Sequence, residues 1–435
     1  MRRELQPPPR WLGACAIALG FALLAWMLRA YAGYPACNYD EAHWLAIART
    51  VDEGVDWPVS GPAFLYLIRT LANGSGLGYP AMFNAAGVGG VLAAILALLW
   101  GYRRLAPTGA GMVLAALALS SYFWAPLLEA RPQQWGQVLV LCGALGCWLW
   151  LQRRGGWFWF LLLPVTALTH ILSHAILLWL CSVLVLADYF EGKPFTRRQA
   201  AAGLALLSSL AVYLWPEGPY SAMLFDIVHV HLRRMLGFIP ALGAAALAAC
   251  MLVAVLRRRW HWRAEWSQSA GHLLLRHRAA AHACALLLIA AALALQAWLL
   301  PAHAWQPYGG SAWRFLLFQS GNLLFAAFFA LGVPPFITLL LEGRGEPLMG
   351  RFLVWCLLAF GILGTAAIIA SAWLLDTNWF LRLLNYGLLF AGPIAAMGIA
   401  QAMASPRAAW PILLIPLGCL ASLLFTVRPL GILGC

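Results

Sequence analysis

The chain has 435 residues, is 63% hydrophobic and only 10% charged, and carries a formal net charge of +13. A soluble globular domain runs near a quarter charged, so this composition excludes one and points to a membrane protein. The positive surplus would suit nucleic acid, but it arrives as short clusters between apolar stretches, such as Arg103-Arg104, Arg153-Arg154 and Arg257-Arg258-Arg259. That alternation is the positive-inside pattern and argues against a nucleic-acid partner.

Spans of roughly twenty apolar residues predict about thirteen transmembrane helices. They fall near 11–29, 81–101, 108–127, 134–151, 156–171, 172–190, 199–215, 235–256, 282–300, 315–341, 352–374, 387–404 and 409–427. The expected fold is all-α and polytopic, a single membrane domain over 1–435 with no soluble C-terminal domain. The basic clusters place the N-terminus in the cytoplasm, and an odd number of spans places the C-terminus outside. Around Leu168–His174 a tight hairpin and one long helix both fit, and the downstream charge pattern favours the hairpin. The first span lacks a small-residue cleavage site and reads as a retained helix.

The longest outer loop, 30–80, opens on Asn38-Tyr39-Asp40-Glu41-Ala42-His43-Trp44. Trp44, Ile47, Ala48 and Val51 form one helical stripe, and Phe64, Leu67, Ile68 and Leu71 another, with the breaker Gly61-Pro62 between them. Two amphipathic helices at the membrane surface are expected here. A second outer loop carries His229, His231, Arg233 and Arg234, which either grip a phosphate or sit among headgroups. The basic, aromatic stretch 257–282 reads as a topology anchor near anionic lipid.

Most of the ten cysteines lie in apolar stretches and read as small core residues. Cys37 and Cys435 both face outside in this topology, so a pairing is open. Lys193 is the only lysine among many Arg and Ala, which suggests a GC-rich bacterial genome; the Asn73-Gly74-Ser75 sequon is then coincidence.

Ionisable residues gather at the outer ends of the spans: Asp40, Glu41, His43, Glu129, Arg131, His170, His174, Arg314, Asp376 and Arg382. A transporter usually places charge near the midplane. Charge at the outer interface instead suits a lipid-headgroup substrate. Structural alternatives stand beside this: Asp40 and Glu41 as a helix N-cap, Glu129 and Arg131 as an interfacial salt bridge, and Arg382 as a snorkelling cation. His170 and His174, one turn apart, read as polar residues capping a hairpin; no metal is expected.

The order of these features resembles the GT-C superfamily of integral membrane glycosyltransferases, in particular the protein O-mannosyltransferases and the lipid A aminoarabinose transferase. The likeness is carried by Tyr39-Asp40-Glu41-Ala42-His43-Trp44 after the first span, Ser60-Gly61-Pro62, Glu129-Ala130-Arg131-Pro132 after the third, and Arg382-Leu383-Leu384-Asn385-Tyr386 late in the chain. It is best over 10–190. The resemblance implies transfer of a sugar from a polyprenyl-phosphate donor to a hydroxyl of an envelope glycolipid, glycan or protein on the periplasmic face of the bacterial inner membrane. It implies inversion and no cofactor. Asp40 would be the general base, with Glu41 orienting it or the acceptor. Arg131, Arg382 and Arg314, with Tyr386, would bind the donor phosphate. His43, Glu129, His170, His174, His229, His231, Arg233 and Arg234 would complete the substrate site. A lipid-linked-sugar transporter or flippase, or a non-catalytic envelope-assembly subunit, are the other readings of the same pattern.

Overall fold

The computed structural model describes residues 10–36, 39–50, 61–103, 109–214, 312–342, 347–374, 378–404 and 413–423, with isolated residues between 243 and 287. The described chain is helical and contains no strand. In order the helices are α1 (Arg10–Tyr31), α2 (Tyr39–Thr50), α3 (Pro62–Ser75), α4 (Tyr79–Gly101), α5 (Gly109–Ala118), α6 (Ser121–Leu128), α7 (Pro132–Leu151) and α8 (Trp159–Thr169). After these come α9 (Ile171–Phe190), α10 (Arg197–Ser209), α11 (Ala211–Leu214), α12 (Ala312–Glu342), α13 (Pro347–Leu374), α14 (Asn378–Met403) and α15 (Leu413–Leu423).

Seven of these are long and apolar enough to cross a membrane, or eight if the bent pair α5–α6 counts as one span. Large apolar side chains such as Leu19, Leu23 and Trp26 stand exposed on α1, as a lipid-facing surface requires. Thirteen spans are thus not confirmed, since these seven or eight are counted among the described residues alone. Spans 235–256 and 282–300 lie outside the described residues, apart from isolated positions. Within span 199–215 the described residues to 214 belong to α10 and α11, which part at Leu210, and 156–171 holds the 11-residue α8. At 1.5 Å per residue α8 is only about 16 Å long, too short to cross alone. Of the C-terminal span, the described residues are helix α15, and the rest of 409–427 lies outside them.

The third expected span breaks by 90° between α5 and α6. Ser120 adopts an extended conformation there. Its hydroxyl pairs with Asn322 Oδ1 at 2.6 Å, and Asn322 Nδ2 donates to Ser121 Oγ at 2.8 Å. Gln319 Nε2 donates to the Tyr122 hydroxyl at 2.8 Å. Side chains of α12 thus satisfy polar groups at the break, which an apolar surrounding would otherwise penalise.

Local sequence sets the other boundaries. Pro62, Pro80 and Pro132 open α3, α4 and α7, where a missing N–H costs nothing. Thr196 and Gln199 form a reciprocal capping box on α10. At His170 the chain reverses. Gly146 of α7 lies against Trp159 at the start of α8, while Gly136 and Gly143 lie against Ser173 and Leu177 of α9. Helix α8 therefore runs back along α7, and α9 runs with α7 again.

The tightest crossing joins α12 and α14. Gly332 faces the Ile394 carbonyl and Gly398 faces that of Phe328, so neither position has room for a Cβ. Small residues such as glycine at a helix crossing are what let backbones approach this closely.

Helix α2 buries Leu45 and Ala48, and α3 buries Phe64, Leu65, Ile68 and Ala72. Leu67 and Leu71, expected on the same stripe as Phe64 and Ile68, are exposed instead. The buried face of α3 is rotated toward Leu65 and Ala72 because it packs on Phe83 of α4, whose ring lies edge-on to Phe64.

Candidate functional site

The site is built around an arginine on the last turn of α1. Arg29 is fully buried and makes a bidentate pair with Glu41 on the first turn of α2: Nη1 to Oε1 at 2.6 Å and Nη2 to Oε2 at 2.8 Å. Gly87 of α4 makes room for it, since a Cβ there would lie 2.6 Å from the guanidinium carbon. Asn84 Oδ1 also accepts from Arg29 at 2.9 Å.

The pair holds a turn of main chain. Arg29 Nη1 donates to the Leu128 carbonyl at 2.5 Å, and the Ala130 N–H donates to Glu41 Oε1 at 2.5 Å. Residues 129–131 connect α6 to α7 and include Glu129 and Arg131. Buried main-chain polar groups need such partners, and a charged one is the stronger kind.

Arg131 then folds back onto α2. Its guanidinium bonds Asp40, and its Nη2 lies 2.5 Å from Glu129 Oε2. Burial alone would lower the arginine's pKa; Glu129 and Asp40 more than offset this, and the net direction is upward. The three carboxylates differ in access. Glu41 is 0% and Glu129 3% exposed, but the Asp40 side chain is 47% exposed. His43 is exposed and lies three residues on, on the same face of α2.

The reversal at His170 brings in a second polar group. His170 caps α9: its Nδ1 accepts from the Ser173 N–H at 3.2 Å and lies 2.7 Å from Ser173 Oγ. Ser173 Oγ is 2.6 Å from the Tyr386 hydroxyl of α14. Burial, then Arg131 and Arg382, lower the His170 pKa to about 3, so the ring is neutral. With Nδ1 accepting, the neutral ring carries its proton on Nε2. Gly61, at φ 98°, docks the start of α3 against Pro132 and the Thr169 carbonyl, which completes the cluster.

The structure thus gathers Asp40, Glu41, Glu129, Arg131, His170 and Tyr386 at one end of the bundle, with His43 beside them. Arg382 is exposed and close enough to influence His170 electrostatically; among the described residues it has no ion-pair partner. His174 points elsewhere: Nδ1 pairs with the Tyr213 hydroxyl at 2.8 Å and Nε2 with Ser209 Oγ at 3.0 Å. One helical turn separates it from His170, but its ring is committed to α10 and α11. Arg314 lies on α12 with its side chain outside the described residues, as are His229, His231, Arg233, Arg234, Asp376, Cys37 and Cys435.

Three members of the cluster escape a reading of the sequence: Arg29, Asn84 and Ser173. Arg29 has a usable signal, since it is the lone charge in α1 past its first residue and lies twelve residues before Glu41. Asp40 and Glu41 lie within the first turn of α2, where negative charge meets the positive end of the helix dipole.

Among the described residues no group of three or more His, Cys, Asp or Glu is placed to hold a metal ion. Comparison of the chain with family models, curated proteins and solved structures gives no match, so the arrangement is interpreted on its own geometry.

Proposed function

We propose that the protein is an inverting glycosyltransferase that moves one sugar from a polyprenyl-phosphate carrier to a hydroxyl of an envelope acceptor. The observation that supports this is the access pattern of the carboxylates: of three acids in one cluster, only Asp40 is open to a substrate. In the proposed step the acceptor oxygen attacks the anomeric carbon and gives its proton to Asp40. The bond from that carbon to the carrier phosphate breaks, and the phosphate leaves with the electron pair. Inversion follows from attack opposite the leaving group.

Glu41 acts at one remove, by fixing through Arg29 and the 128–130 turn the position of Arg131, which in turn orients Asp40. Arg382 is the better grip for the departing phosphate, because Arg131 is already shared between two carboxylates. His170 and Tyr386 line the neutral side of the site, Glu129 stays paired with Arg131, and His43 flanks the acceptor. Helices α2 and α3 lie at the membrane surface as its roof. The cytoplasmic N-terminus, periplasmic site and inner-membrane location belong to the same proposal, as does membership of the GT-C superfamily.

A second reading, a transporter of lipid-linked sugars, draws on the 90° break between α5 and α6 with its Ser120–Asn322 contact. Interrupted helices with polar side chains at the break are a feature of transport sites. Mass spectrometry of envelope glycans from a strain lacking the gene tests the transferase reading. It predicts the loss of one sugar mass with carrier-linked sugar accumulating on the periplasmic leaflet; accumulation on the cytoplasmic leaflet supports transport instead.

A further inference from the structure

A second polar site lies at the other end of α7. This helix has 20 residues, so Arg131 before it and Arg153 after it are about 30 Å apart. Around Arg153 a cleft of about 230 Å³ opens between the end of α7 and the start of α10, lined by Arg153, Arg197, Arg198, Asp188, Thr196 and Gln199. We propose that this cleft binds the phosphodiester headgroup of an anionic phospholipid.

Charge is the first argument. Asp188 is the only acid of the lining, and it is already compensated: its Oδ1 accepts from Lys193 Nζ at 2.8 Å and Arg351 Nη2 at 2.8 Å. Thr196 and Gln199 satisfy each other in the capping box. Among the described residues neither Arg153 nor Arg197 has a carboxylate partner. Arg198 is fixed, donating to the Trp150 carbonyl at 2.6 Å and stacking 5.2 Å from that ring. Three guanidinium groups thus line one cleft with no anion of the described protein to meet two of them. Guanidinium forks match phosphate oxygens.

Backbone conformation is the second argument. Arg153 sits at φ 61°, and among the described residues it is the one non-glycine residue in the left-handed region. It ends α7 with its N–H on the Trp150 carbonyl at 3.0 Å, where glycine is the usual occupant. An arginine held at a position that glycine would adopt without strain points to a use for its side chain.

Surroundings and size name the class of ligand. Trp157, Phe158, Tyr189 and Phe195 are all exposed beside the cleft, the composition of a membrane–water interface. Basic pockets between helices at that depth take acidic lipid headgroups. The volume falls below that of drug-sized pockets, about 300–1,000 Å³, which suits a headgroup whose acyl chains stay in the bilayer.

The strain at Arg153 makes a test that separates binding from folding. The full-length protein in neutral detergent is titrated with phosphatidylglycerol, phosphatidylcholine and inorganic phosphate, and bound lipid is counted by native mass spectrometry. Wild type should retain phosphatidylglycerol over phosphatidylcholine. Arg153→Gly with Arg197→Gln should weaken phosphatidylglycerol binding at least tenfold while the melting temperature holds or rises. Arg49→Gln with Arg103→Gln, which removes the same charge elsewhere, should leave it unchanged. Equal binding by the cleft variant overturns the site. Inorganic phosphate that competes at the affinity of the lipid overturns the lipid assignment. Should the double variant fail to fold, a photoactivatable phosphatidylglycerol on wild type must label residues 150–158 or 189–199, and labelling confined to other segments overturns the proposal.

Discussion

Arg29 and Glu41 are the buried ion pair on which the site is assembled, with two guanidinium–carboxylate contacts of 2.6 and 2.8 Å and side chains 2% and 0% exposed. They join α1 to α2 and, through Leu128 and Ala130, fix the turn that carries Glu129 and Arg131. Removing one partner leaves the other charge buried and unmatched, which costs about 3–5 kcal/mol. Arg29→Ala and Glu41→Ala should each lower the melting temperature in detergent sharply. The double variant Arg29→Met with Glu41→Leu should recover much of that loss. Thermal unfolding followed by tryptophan fluorescence compares the four proteins.

Arg382 and Arg131 should separate kinetically. Arg382→Ala should raise KM for the lipid-linked donor while the fold is unchanged, because its side chain is exposed and holds no carboxylate among the described residues. Arg131→Ala should lower kcat as well, since it also releases Asp40. Steady-state rates over a donor concentration series distinguish the two patterns.

His170 predicts an acid-labile fold. Its folded pKa, about 3, lies below the unfolded value near 6.5. The unfolded chain therefore binds the extra proton first, and stability is complete above pH 6.5. It falls as pH drops toward 3, at up to about 1.4 kcal/mol per pH unit for this one group. His170→Asn retains a capping side chain and should flatten that part of the profile. Denaturation midpoints of both proteins from pH 7 to 4 supply the comparison.

The crossing of α12 and α14 should tolerate no side chain. Gly332→Ala or Gly398→Ala pushes a methyl into a facing carbonyl and should cost about 1–3 kcal/mol or more. Gly361→Ala, on α13 with open space around it, should be neutral. Protease resistance in membranes reads the difference.

Much of the site is legible in the sequence because polar residues in an apolar chain are costly and so are few. Asp40, Glu41, Glu129, Arg131 and His170 stand out for that reason, and their helix-end positions follow from Pro132 and the reversal before Ile171. Their partnerships do not. Nothing in spacing alone tells that Glu41 turns inward to Arg29 while Asp40 turns outward, since adjacent helical residues point in directions about 100° apart. The break at Ser120 is hidden because an apolar run reads the same whether straight or bent; Asn322 and Gln319, some 200 residues away, satisfy its polar groups. His174 misleads for a similar reason: its spacing from His170 suggests a shared role, and α10 and α11 claim its ring instead.

The most direct test of the central claim is restoration of the envelope glycan in the deletion strain by Asp40→Asn, at membrane levels matched to wild type. Loss of a general base costs about 10²–10⁴ in rate. The account predicts that wild type restores the missing sugar and Asp40→Asn does not, although the variant protein is folded and abundant. Full restoration by Asp40→Asn would contradict it.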